Sequence, residues 1–358
     1  MTTAEVRAAF PVLERLAYLN AGTFGPLARP TVDAVRSWEE RDLEQGRFGP
    51  SYMDAMRELR DGVRGLVARL VGVDPSRVAL TTSTTNGCNI VLQGLGLEPA
   101  DEVVTTDCEH FGLLGALHAS GARVRVAAVR GLPVEHAFEA IVREVGPRTR
   151  LVALSHVSFL TGNLLPVEEL KASVRVPVLV DGAQSVGAIP VDAAPFDYYT
   201  VSGQKWLCGP DATGALVVAE PDSLRVTAPS YFSQTRYELD GAFEPRPDAG
   251  RFDAGWIPPA ALAGWEAALD SAPDWRFARA REVADLCRRL VAGRHEVVTA
   301  PSQGTLVTFR PDAEAGEVVA RLAAKGVVVR ELPGTGWVRA SCGYWNDEGD
   351  LERLLAWS

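Results

Sequence analysis

Short apolar runs alternate with helical patterns through the middle of the chain, from about residue 75 to residue 220. Runs that are apolar at nearly every position are typical of strands buried on both faces of a parallel sheet, and the helices between them serve as crossovers. Seven such strands are predicted, at 78–82, 102–107, 123–129, 151–156, 177–182, 198–203 and 215–219. The pattern therefore predicts an α/β fold with a mostly parallel, seven-stranded sheet.

The pattern changes beyond residue 220. A stretch rich in Pro and Gly, 229–259, predicts an irregular connection. It is followed by the pattern of a smaller α+β domain, with helices at 260–292, 313–325 and 347–357 and strands at 305–310, 327–332 and 337–342. The predicted organisation is an N-terminal segment, 1–15, that packs on the small domain or on a partner, a large domain, 16–240, and a small C-terminal domain, 241–358.

Composition narrows the class of protein. Of the 358 residues 47% are hydrophobic and 23% charged, as in a globular protein with a substantial core. The formal net charge of −10, with no block of Lys and Arg to offset it, argues against nucleic acid as a partner. The sequence has neither an apolar run of about 18 residues nor a secretory signal, so no membrane span is expected. Five scattered cysteines without a CxxC pair predict reduced thiols, a cytoplasmic location and no metal site.

One lysine stands out because the chain has so few. Only three of the 36 basic residues are lysines, and Lys205 alone follows an apolar strand, between Gly203 and Trp206. Arginine stays protonated and is a poor nucleophile, whereas a lysine can lose its proton and react. Because a lysine that closes a buried strand is costly unless it acts or pairs, Lys205 is the first candidate for a catalytic residue.

Other reactive groups fall at the same edge of the predicted sheet. Asp181 and Ser202 end two strands, Ser/Thr residues at 81–85 lead from a third strand into a helix, and His110 follows a fourth. Ligands of open α/β sheets bind at the carboxyl edge, and a helix N-terminus there can hold an anion. No GxxxxGK[ST] or GxGxxG motif occurs, which excludes the usual nucleotide loops. A lysine, a carboxylate and a phosphate site together suggest pyridoxal 5'-phosphate, with Asp181 keeping the pyridine nitrogen protonated.

Each of these residues also has an ordinary structural interpretation. His110 or His156 alone is typical of a hydrogen-bonded core histidine, and an aspartate at a strand end often caps a helix. The Ser/Thr cluster at 81–85 can be a simple helix entry, and an isolated arginine usually belongs to the surface. The ordinary interpretations lose weight because all these groups are predicted at one edge of one sheet.

Two segments identify a family. VDGAQSVGAIPVD and DYYTVSGQKWLCGPDATGALVV are similar to the cofactor-binding segments of the class V aminotransferase family of fold-type I pyridoxal-phosphate enzymes, which the chain resembles over nearly its whole length. Within that family, YLNAGTFGPL, TTNGCNIVLQGL, TTDCEHFG and VRASCGYWNDEGDLERLL resemble the cyst(e)ine C–S lyases. The resemblance implies the fold-type I transferase fold, a homodimer with shared active sites, and a small amino-acid substrate.

The resemblance also implies a role for each matching residue. Lys205 would be the Schiff-base lysine, Asp181 the partner of the pyridine nitrogen, and Gln184 the neighbour of the phenolic oxygen. His110 would stack on the ring. The phosphate would be bound by Thr84, Thr85 and Ser202, with Gln204 where relatives often have histidine. Arg339 would bind the substrate carboxylate, and Arg330 matches a second arginine near the substrate.

Two positions depart from the family pattern. Many relatives have an asparagine near the cofactor where this chain has Phe159, and a threonine after Gly255 where this chain has Trp256. That threonine reaches the phosphate of the neighbouring subunit in many members. The departure at Trp256 leaves open which residue takes this contact.

The choice of reaction depends on the cysteines. Desulfurases use a cysteine on a mobile loop ahead of the carboxylate-binding arginine, but the connection VVVRELPGTGWVRASC is short and has no cysteine before Arg339. β-Elimination from cysteine, cystine or an S-substituted cysteine needs no enzyme thiol, so the sequence favours a C–S lyase. An aminotransferase or an epimerase is the alternative, and desulfuration is disfavoured. A pyridoxal-phosphate-fold protein without activity is disfavoured further by the intact Lys205 and Asp181.

Overall fold

The computed structural model describes residues 1–356. The helices are α1 (Thr3–Ala8), α2 (Arg29–Gln45), α3 (Gly49–Leu70), α4 (Thr84–Gly94), α5 (Phe111–Ala119), α6 (Ala137–Glu144), α7 (Val167–Ser173), α8 (Pro259–Asp270), α9 (Arg276–Ala292), α10 (Ala315–Ala324) and α11 (Glu348–Leu355). The strands are β1 (Ala17–Tyr18), β2 (Val78–Thr81), β3 (Glu102–Thr106), β4 (Arg123–Ala127), β5 (Thr149–Ser155), β6 (Val178–Asp181), β7 (Tyr198–Ser202), β8 (Gly214–Val218), β9 (Gln234–Tyr237), β10 (Phe243–Pro245), β11 (Glu296–Val297), β12 (Leu306–Arg310), β13 (Val327–Val328), β14 (Arg330–Leu332) and β15 (Trp337–Ser341).

The large domain is built on a seven-stranded sheet in the order β2-β8-β7-β6-β5-β3-β4. Only β8 runs against its neighbours, β2 and β7. Strands β2, β6, β7 and β8 are buried at every position, because hydrophobic clusters cover both faces of the sheet. The prediction of a mostly parallel sheet with seven strands is confirmed. Its parallel strands bring the ends of β2, β3, β5, β6 and β7 to one edge.

A second sheet forms the small C-terminal domain. Its four strands are antiparallel in the order β11-β12-β15-β14, and α9, α10 and α11 cover it with a separate hydrophobic core. Strands β14 and β15 pair so that Arg330 and Arg339 are direct cross-strand partners. Directly paired residues point to the same face of a sheet, so the two arginines project together.

The N-terminal segment connects the two domains. Arg7 on α1 donates a hydrogen bond to the Trp345 carbonyl oxygen and pairs with Asp350 at 2.8 Å. Strand β1 then pairs with β13, and a bridge between Asn20 and Ser341 leads the chain over the carboxyl edge of the large sheet. The boundaries predicted for the three segments stay predictions.

Three local predictions were wrong or incomplete. The single helix predicted at 260–292 is two helices, α8 and α9, because the chain turns at Pro273, which cannot continue the hydrogen-bond ladder of a helix. The irregular stretch 229–259 contains the hairpin β9–β10, whose turn holds Gly241 at φ +92°. Helix α11 lies within the predicted helix 347–357. The last residue of that prediction, Trp357, lies outside the described residues.

None of the helices in residues 1–356 combines the length and the apolar character that crossing a lipid bilayer requires.

Candidate active site

A cavity of about 250 Å³ opens at the carboxyl edge of the large sheet. Of the ten predicted site residues, nine line it: Thr84, Thr85, His110, Gln184, Ser202, Gln204, Lys205, Arg330 and Arg339. The tenth, Asp181, is buried at the end of β6. The structure therefore brings the predicted residues together from the large and the small domain, although their roles stay predictions.

Lys205 follows β7 and its side chain enters the cavity. The pKa of its amine is lowered to about 8: burial is the largest cause, the charge of Asp181 opposes it, and the charges of Arg339 and Arg330 act in the same direction as burial. An amine with a pKa near 8 has a much larger neutral fraction at physiological pH than an ordinary lysine. Lys205 is thus prepared to act as a nucleophile and as a base.

Asp181 keeps one carboxylate oxygen for a further donor. Its Oδ1 accepts hydrogen bonds from the Ala183 amide at 2.9 Å and the Thr200 hydroxyl at 3.4 Å. These two bonds fix the carboxylate and leave Oδ2 free to accept a hydrogen bond from a protonated nitrogen. That arrangement suits the pyridine nitrogen that the sequence assigned to Asp181.

The start of α4 faces the cavity with hydroxyl groups and first-turn amides. Ser83 caps this helix by accepting a hydrogen bond from the Asn86 amide at 3.1 Å, and Thr84 and Thr85 occupy its first turn. Across the cavity the Ser202 hydroxyl donates to Gln204 Oε1 at 2.8 Å. Hydroxyl groups, first-turn amides and the helix dipole together favour a phosphate. Ser83 was missed as a site residue, although a serine before a helix is the usual capping signal.

His110 caps α5 and is held in one tautomer. Its Nδ1 accepts a hydrogen bond from the Gly112 amide at 3.0 Å, which places the ring proton on Nε2. Burial lowers the pKa of His110, and the charge of Lys205 lowers it further, so the ring is neutral. The edge of the Phe159 ring contacts the His110 ring at a centroid distance of 5.1 Å.

Both arginines approach Thr23, which lies in the chain between β1 and α2. Arg330 Nη1 donates to the Thr23 hydroxyl at 3.0 Å, and Arg339 Nη1 donates to the Phe159 carbonyl oxygen at 2.9 Å. Arg339 is 1% exposed, and its buried Nε–H has no hydrogen-bond partner among residues 1–356. Burial lowers the pKa of Arg339 to about 9, so the guanidinium still carries its charge at neutral pH. A buried guanidinium with an unused donor is suited to bind a carboxylate.

Gln184 is more constrained than the sequence indicated. Its Nε2 donates to the Gly22 carbonyl oxygen and its Oε1 accepts from the Trp206 indole, both at 2.9 Å. One amide hydrogen of Gln184 is left for a ligand in the cavity. Gly22 is required at this contact, because a Cβ there would lie 2.8 Å from Arg339 Nη2.

The five cysteines are free and buried, and none lines the cavity. Cys342 lies in the core of the small domain beside Cys287, whose hydrogen bond raises the pKa of the Cys342 thiol, as does burial. Burial also raises the pKa of Cys108 to about 12. A protonated, buried thiol is not a nucleophile, so the cavity contains no reactive cysteine.

The residues fit pyridoxal 5'-phosphate by the chemistry of their donors. Lys205 offers an amine for the Schiff base. Asp181 offers a free carboxylate oxygen for the ring nitrogen, and the start of α4 offers a helix N-terminus for the phosphate. Trp256, in contrast, is exposed on the surface, stacks on Tyr231 and does not line the cavity.

Comparisons with known proteins place the chain in a family. The family model "Aminotransferase class-V" matches residues 43–354. Isopenicillin N epimerase of Streptomyces clavuligerus is 30% identical, over 94% of this chain and 92% of that protein. A cysteine desulfurase of Haloferax volcanii is 29% identical, over 91% of this chain and 86% of that protein.

Solved structures give a similar result. The cystine C–S lyase C-DES, in complex with its reaction product cysteine persulfide, is 29% identical and superposes with a TM-score of 0.91, over 97% of this chain and 98% of that one. A lysine-to-alanine variant of C-DES, with glycine covalently linked to the PLP cofactor, superposes with the same score. The relatives thus include enzymes with three different names and one cofactor-bound structure.

Proposed function

The chain belongs to the class V aminotransferase family and uses pyridoxal 5'-phosphate, and on that premise we propose that it is a C–S lyase. It would catalyse β-elimination from cysteine, cystine or an S-substituted cysteine. One molecule of substrate and one of water would give pyruvate, ammonium and a thiol, or a persulfide when the substrate is cystine. The observation that carries the proposal is that an arginine pair, Arg330 and Arg339, lines the cavity together with Lys205, and that no cysteine does.

The residues divide the work between binding and proton transfer. Arg339 and Arg330 bind the substrate carboxylate and so orient its Cα hydrogen toward the Lys205 side. The bound cofactor makes that hydrogen acidic by delocalising negative charge into its ring. Lys205 Nζ then accepts the Cα proton, which a pKa near 8 permits at neutral pH. Cleavage of the Cβ–S bond releases the sulfur with its electron pair, and no enzyme thiol has to receive it.

Asp181, His110 and the start of α4 hold the cofactor for this step. Asp181 would keep the ring nitrogen protonated through Oδ2, and His110 would hold the ring with its own imidazole neutral. Ser83, Thr84 and Thr85 bind the phosphate at the start of α4. Except for Asp181, which is buried at the end of β6, the groups in these roles line the cavity.

Epimerisation is the second candidate. It needs a second group that returns a proton to Cα, and His110 carries a proton on Nε2 inside the same cavity. The match to isopenicillin N epimerase supports this alternative.

An assay in D₂O separates the two candidates. The protein is incubated with L-cystine and with a panel of S-substituted L-cysteines, and pyruvate, thiol and Cα deuteration are measured together. A C–S lyase gives equal amounts of pyruvate and thiol, or of pyruvate and persulfide from cystine, whereas an epimerase leaves the C–S bond intact and returns deuterated substrate of inverted configuration. Lys205→Ala abolishes either activity, and Lys171→Ala is the matched control because Lys171 pairs with Asp197 away from the cavity. Deuterated, inverted substrate without pyruvate would overturn the lyase proposal.

The active unit is proposed to be a homodimer. Tyr231, Tyr237, Phe243 and Trp256 form an aromatic patch around the hairpin β9–β10, and each of the four is exposed. Trp256 stacks on Tyr231 at a centroid distance of 6.2 Å and contacts the Phe232 ring at 5.2 Å. Contiguous exposed aromatic surface of this kind is typical of a protein–protein interface.

A further inference from the structure

Glu109 is a buried acid with no role in the site described above. It lies between β3 and α5, directly before His110, and is 5% exposed. Its Oε1 accepts a hydrogen bond from the Thr106 hydroxyl at 2.6 Å. Its Oε2 accepts two more, from the Ser155 amide at 2.9 Å and the Ser155 hydroxyl at 2.5 Å. The carboxyl group therefore ties the end of β3 to the end of β5.

These contacts favour the ionised form. An amide N–H can only donate, and a carboxylate that accepts three hydrogen bonds is stabilised as an anion. Burial acts in the opposite direction and raises the pKa of Glu109 to about 7, to which the negative charge of Asp181 also contributes. Glu109 therefore changes protonation near neutral pH, within the electrostatic range of Asp181.

The other titratable groups around Glu109 do not neutralise it. The thiols of Cys88 on α4 and Cys108 in the same turn are kept protonated by burial, which raises the pKa of each. The neighbouring His110 ring is neutral. Among residues 1–356, Glu109 forms no ion pair with a Lys, Arg or His. A buried carboxylate without a cation is costly, and a cation bound at this edge of the sheet would stabilise it.

We propose that Glu109 is a positioning residue of the cofactor site, whose carboxylate supplies a second negative charge behind Asp181 and anchors the turn that carries His110. The cation that would balance these two carboxylates is the protonated ring nitrogen of the bound cofactor, which Asp181 would contact directly. Glu109 acts on it through Asp181 and touches neither cofactor nor substrate. The proposal rests on cofactor binding at this site and is independent of which reaction follows.

The test uses the holoenzyme and the absorbance of its bound cofactor as a function of pH. Glu109→Gln removes the charge while preserving the shape of the side chain. A nearby anion raises the proton affinity of the cofactor. Removing the Glu109 charge is therefore expected to lower the midpoint of the absorbance titration by roughly one pH unit, a tenfold change in proton affinity. This readout does not depend on turnover or on the identity of the substrate.

Glu102→Gln is the matched control. Glu102 is a second buried glutamate, at the start of β3, the strand that Glu109 follows, and it pairs with Arg148 at 2.6 Å. Both variants lose buried contacts and both are expected to unfold at lower temperature. Only Glu109→Gln is expected to shift the titration midpoint, so a purely structural role is distinguished from the proposed one. A Glu109→Gln midpoint equal to that of the Glu102→Gln and parent proteins would overturn the proposal.

A measurement on the unmodified protein covers the case in which Glu109→Gln does not fold. Coupling between two sites is reciprocal, so binding of the cofactor should lower the proton affinity of Glu109. The infrared difference spectrum between apoenzyme and holoenzyme near pH 7 is expected to lose the carbonyl band of a buried carboxylic acid. Glu109→Asp, which keeps the charge, is expected to retain the parent titration midpoint. An infrared band unchanged by cofactor, or a midpoint displaced equally in Glu109→Asp and Glu109→Gln, would contradict the proposal.

Discussion

At the scale of single residues, the chemistry of the site depends on charges placed where water is scarce. Lys205 lies near two guanidinium groups and one carboxylate, and its reactivity follows from the balance between them. Burial and the arginines favour the neutral amine, and Asp181 favours the ammonium. This balance allows one lysine both to capture a cofactor and to remove a proton near neutral pH.

The first prediction concerns the pH dependence of cofactor capture by the apoenzyme. Capture needs the neutral amine, so its rate should rise with pH up to the pKa of Lys205, near 8, and then level off. Asp181→Asn should move the midpoint to lower pH, because the Asp181 charge raises this pKa. The measurement is the change of cofactor absorbance after rapid mixing across the pH range. The control is a simple primary amine in solution, whose pKa of about 10.4 should keep its rate rising throughout that range. A capture rate that still rises at pH 10 would contradict the lowered pKa.

The second prediction concerns the arginine pair. Arg339→Ala should lower kcat/KM roughly a hundredfold, the effect of losing about 3 kcal/mol of charge-assisted hydrogen bonding to the carboxylate. Arg330→Ala should cost less, roughly tenfold, because Arg330 is only partly buried. Arg321→Ala is the control, since Arg321 pairs with Glu317 on the exposed face of α10.

Cys342 distinguishes elimination from desulfuration in the same experiments. Cys342→Ala should keep sulfur release within about twofold of the parent, because this thiol is buried in the small-domain core. Pyruvate and ammonium should accompany the released thiol. Stoichiometric alanine, or an inactive Cys342→Ala protein that still folds and binds cofactor, would support a desulfurase.

The sequence identified residues at strand ends better than residues whose contacts are distant in the chain. Lys205 and Asp181 were predictable because each follows an apolar strand and only one chemistry explains both. The contact between Gln184 and Gly22 joins residues 162 positions apart, and nothing local indicates it. Glu109 was missed for the same reason, because its partner Ser155 belongs to another strand. Long-range hydrogen bonds need the packed fold to be known.

At the scale of elements, short connections between strands and helices fix the position of the site. The segment after β1 carries Gly22 to Gly25 across the turn that follows β7, and the Gly25 amide donates to the Gln204 carbonyl oxygen at 2.8 Å. The carboxyl edge of the large sheet is covered in this way by the segment between β1 and α2. Local apolar runs predicted the strands of that edge, whereas the contact between Gly25 and Gln204 joins residues far apart in the chain.

The third prediction tests this covering segment. A Cβ at Gly25 would lie 2.0 Å from the Lys205 carbonyl oxygen, so Gly25→Ala must displace the backbone on one side of the cavity. Overpacking of this kind costs about 1–3 kcal/mol, and a tenfold or greater loss of cofactor affinity is expected with it. Gly146→Ala is the matched control, because a Cβ there meets no atom within 4 Å. Thermal unfolding and cofactor titration measure the two effects. Equal behaviour of the two variants would mean that the covering segment is free to move.

The elements that were predicted incorrectly have identifiable signals. Asp240 and Gly241 stand between the strands of the hairpin β9–β10, and an Asp-Gly pair is a common hairpin turn. Pro273 marks the break between α8 and α9. Both signals were present. The Asp-Gly pair was overlooked because its stretch was judged only by its overall content of Pro and Gly. Pro273 was overlooked because the helical periodicity continues on both sides of it.

At the scale of the whole molecule, the site is assembled from three parts of the chain. The large domain provides the lysine and the start of α4, the small domain provides Arg330 and Arg339, and the segment between β1 and α2 provides Thr23 between them. A shift of the small domain would therefore move these arginines relative to Lys205. In the proposed mechanism, substrate affinity and proton removal would thus be coupled through the packing of the two domains.

The aromatic patch is rigidly attached to the large domain. Asp253, three residues before Trp256, is 2% exposed and pairs with Arg60 and Arg64 of α3, each at 2.9 Å. Its Oδ1 also accepts a hydrogen bond from the Leu80 amide of β2 at 2.8 Å. This cluster holds the segment before Trp256 against the β2 edge of the sheet. A patch fixed in this way is preorganised for binding, so little entropy is lost when a partner covers it.

The last prediction is that the aromatic patch forms the interface of the homodimer. Buried Trp and Tyr side chains at interfaces each contribute about 2 kcal/mol or more, so the double variant Tyr231→Ser with Trp256→Ser should raise the dimer Kd at least a hundredfold. Leu132→Ser is the control, because Leu132 is also an exposed apolar residue but follows β4, at the opposite edge of the sheet. Sedimentation over a dilution series measures the Kd, and cofactor absorbance on the same samples shows whether the separated subunits keep the cofactor. A parent protein that is fully active as a monomer, or a double variant that dimerises as tightly as Leu132→Ser, would refute the assignment of this patch.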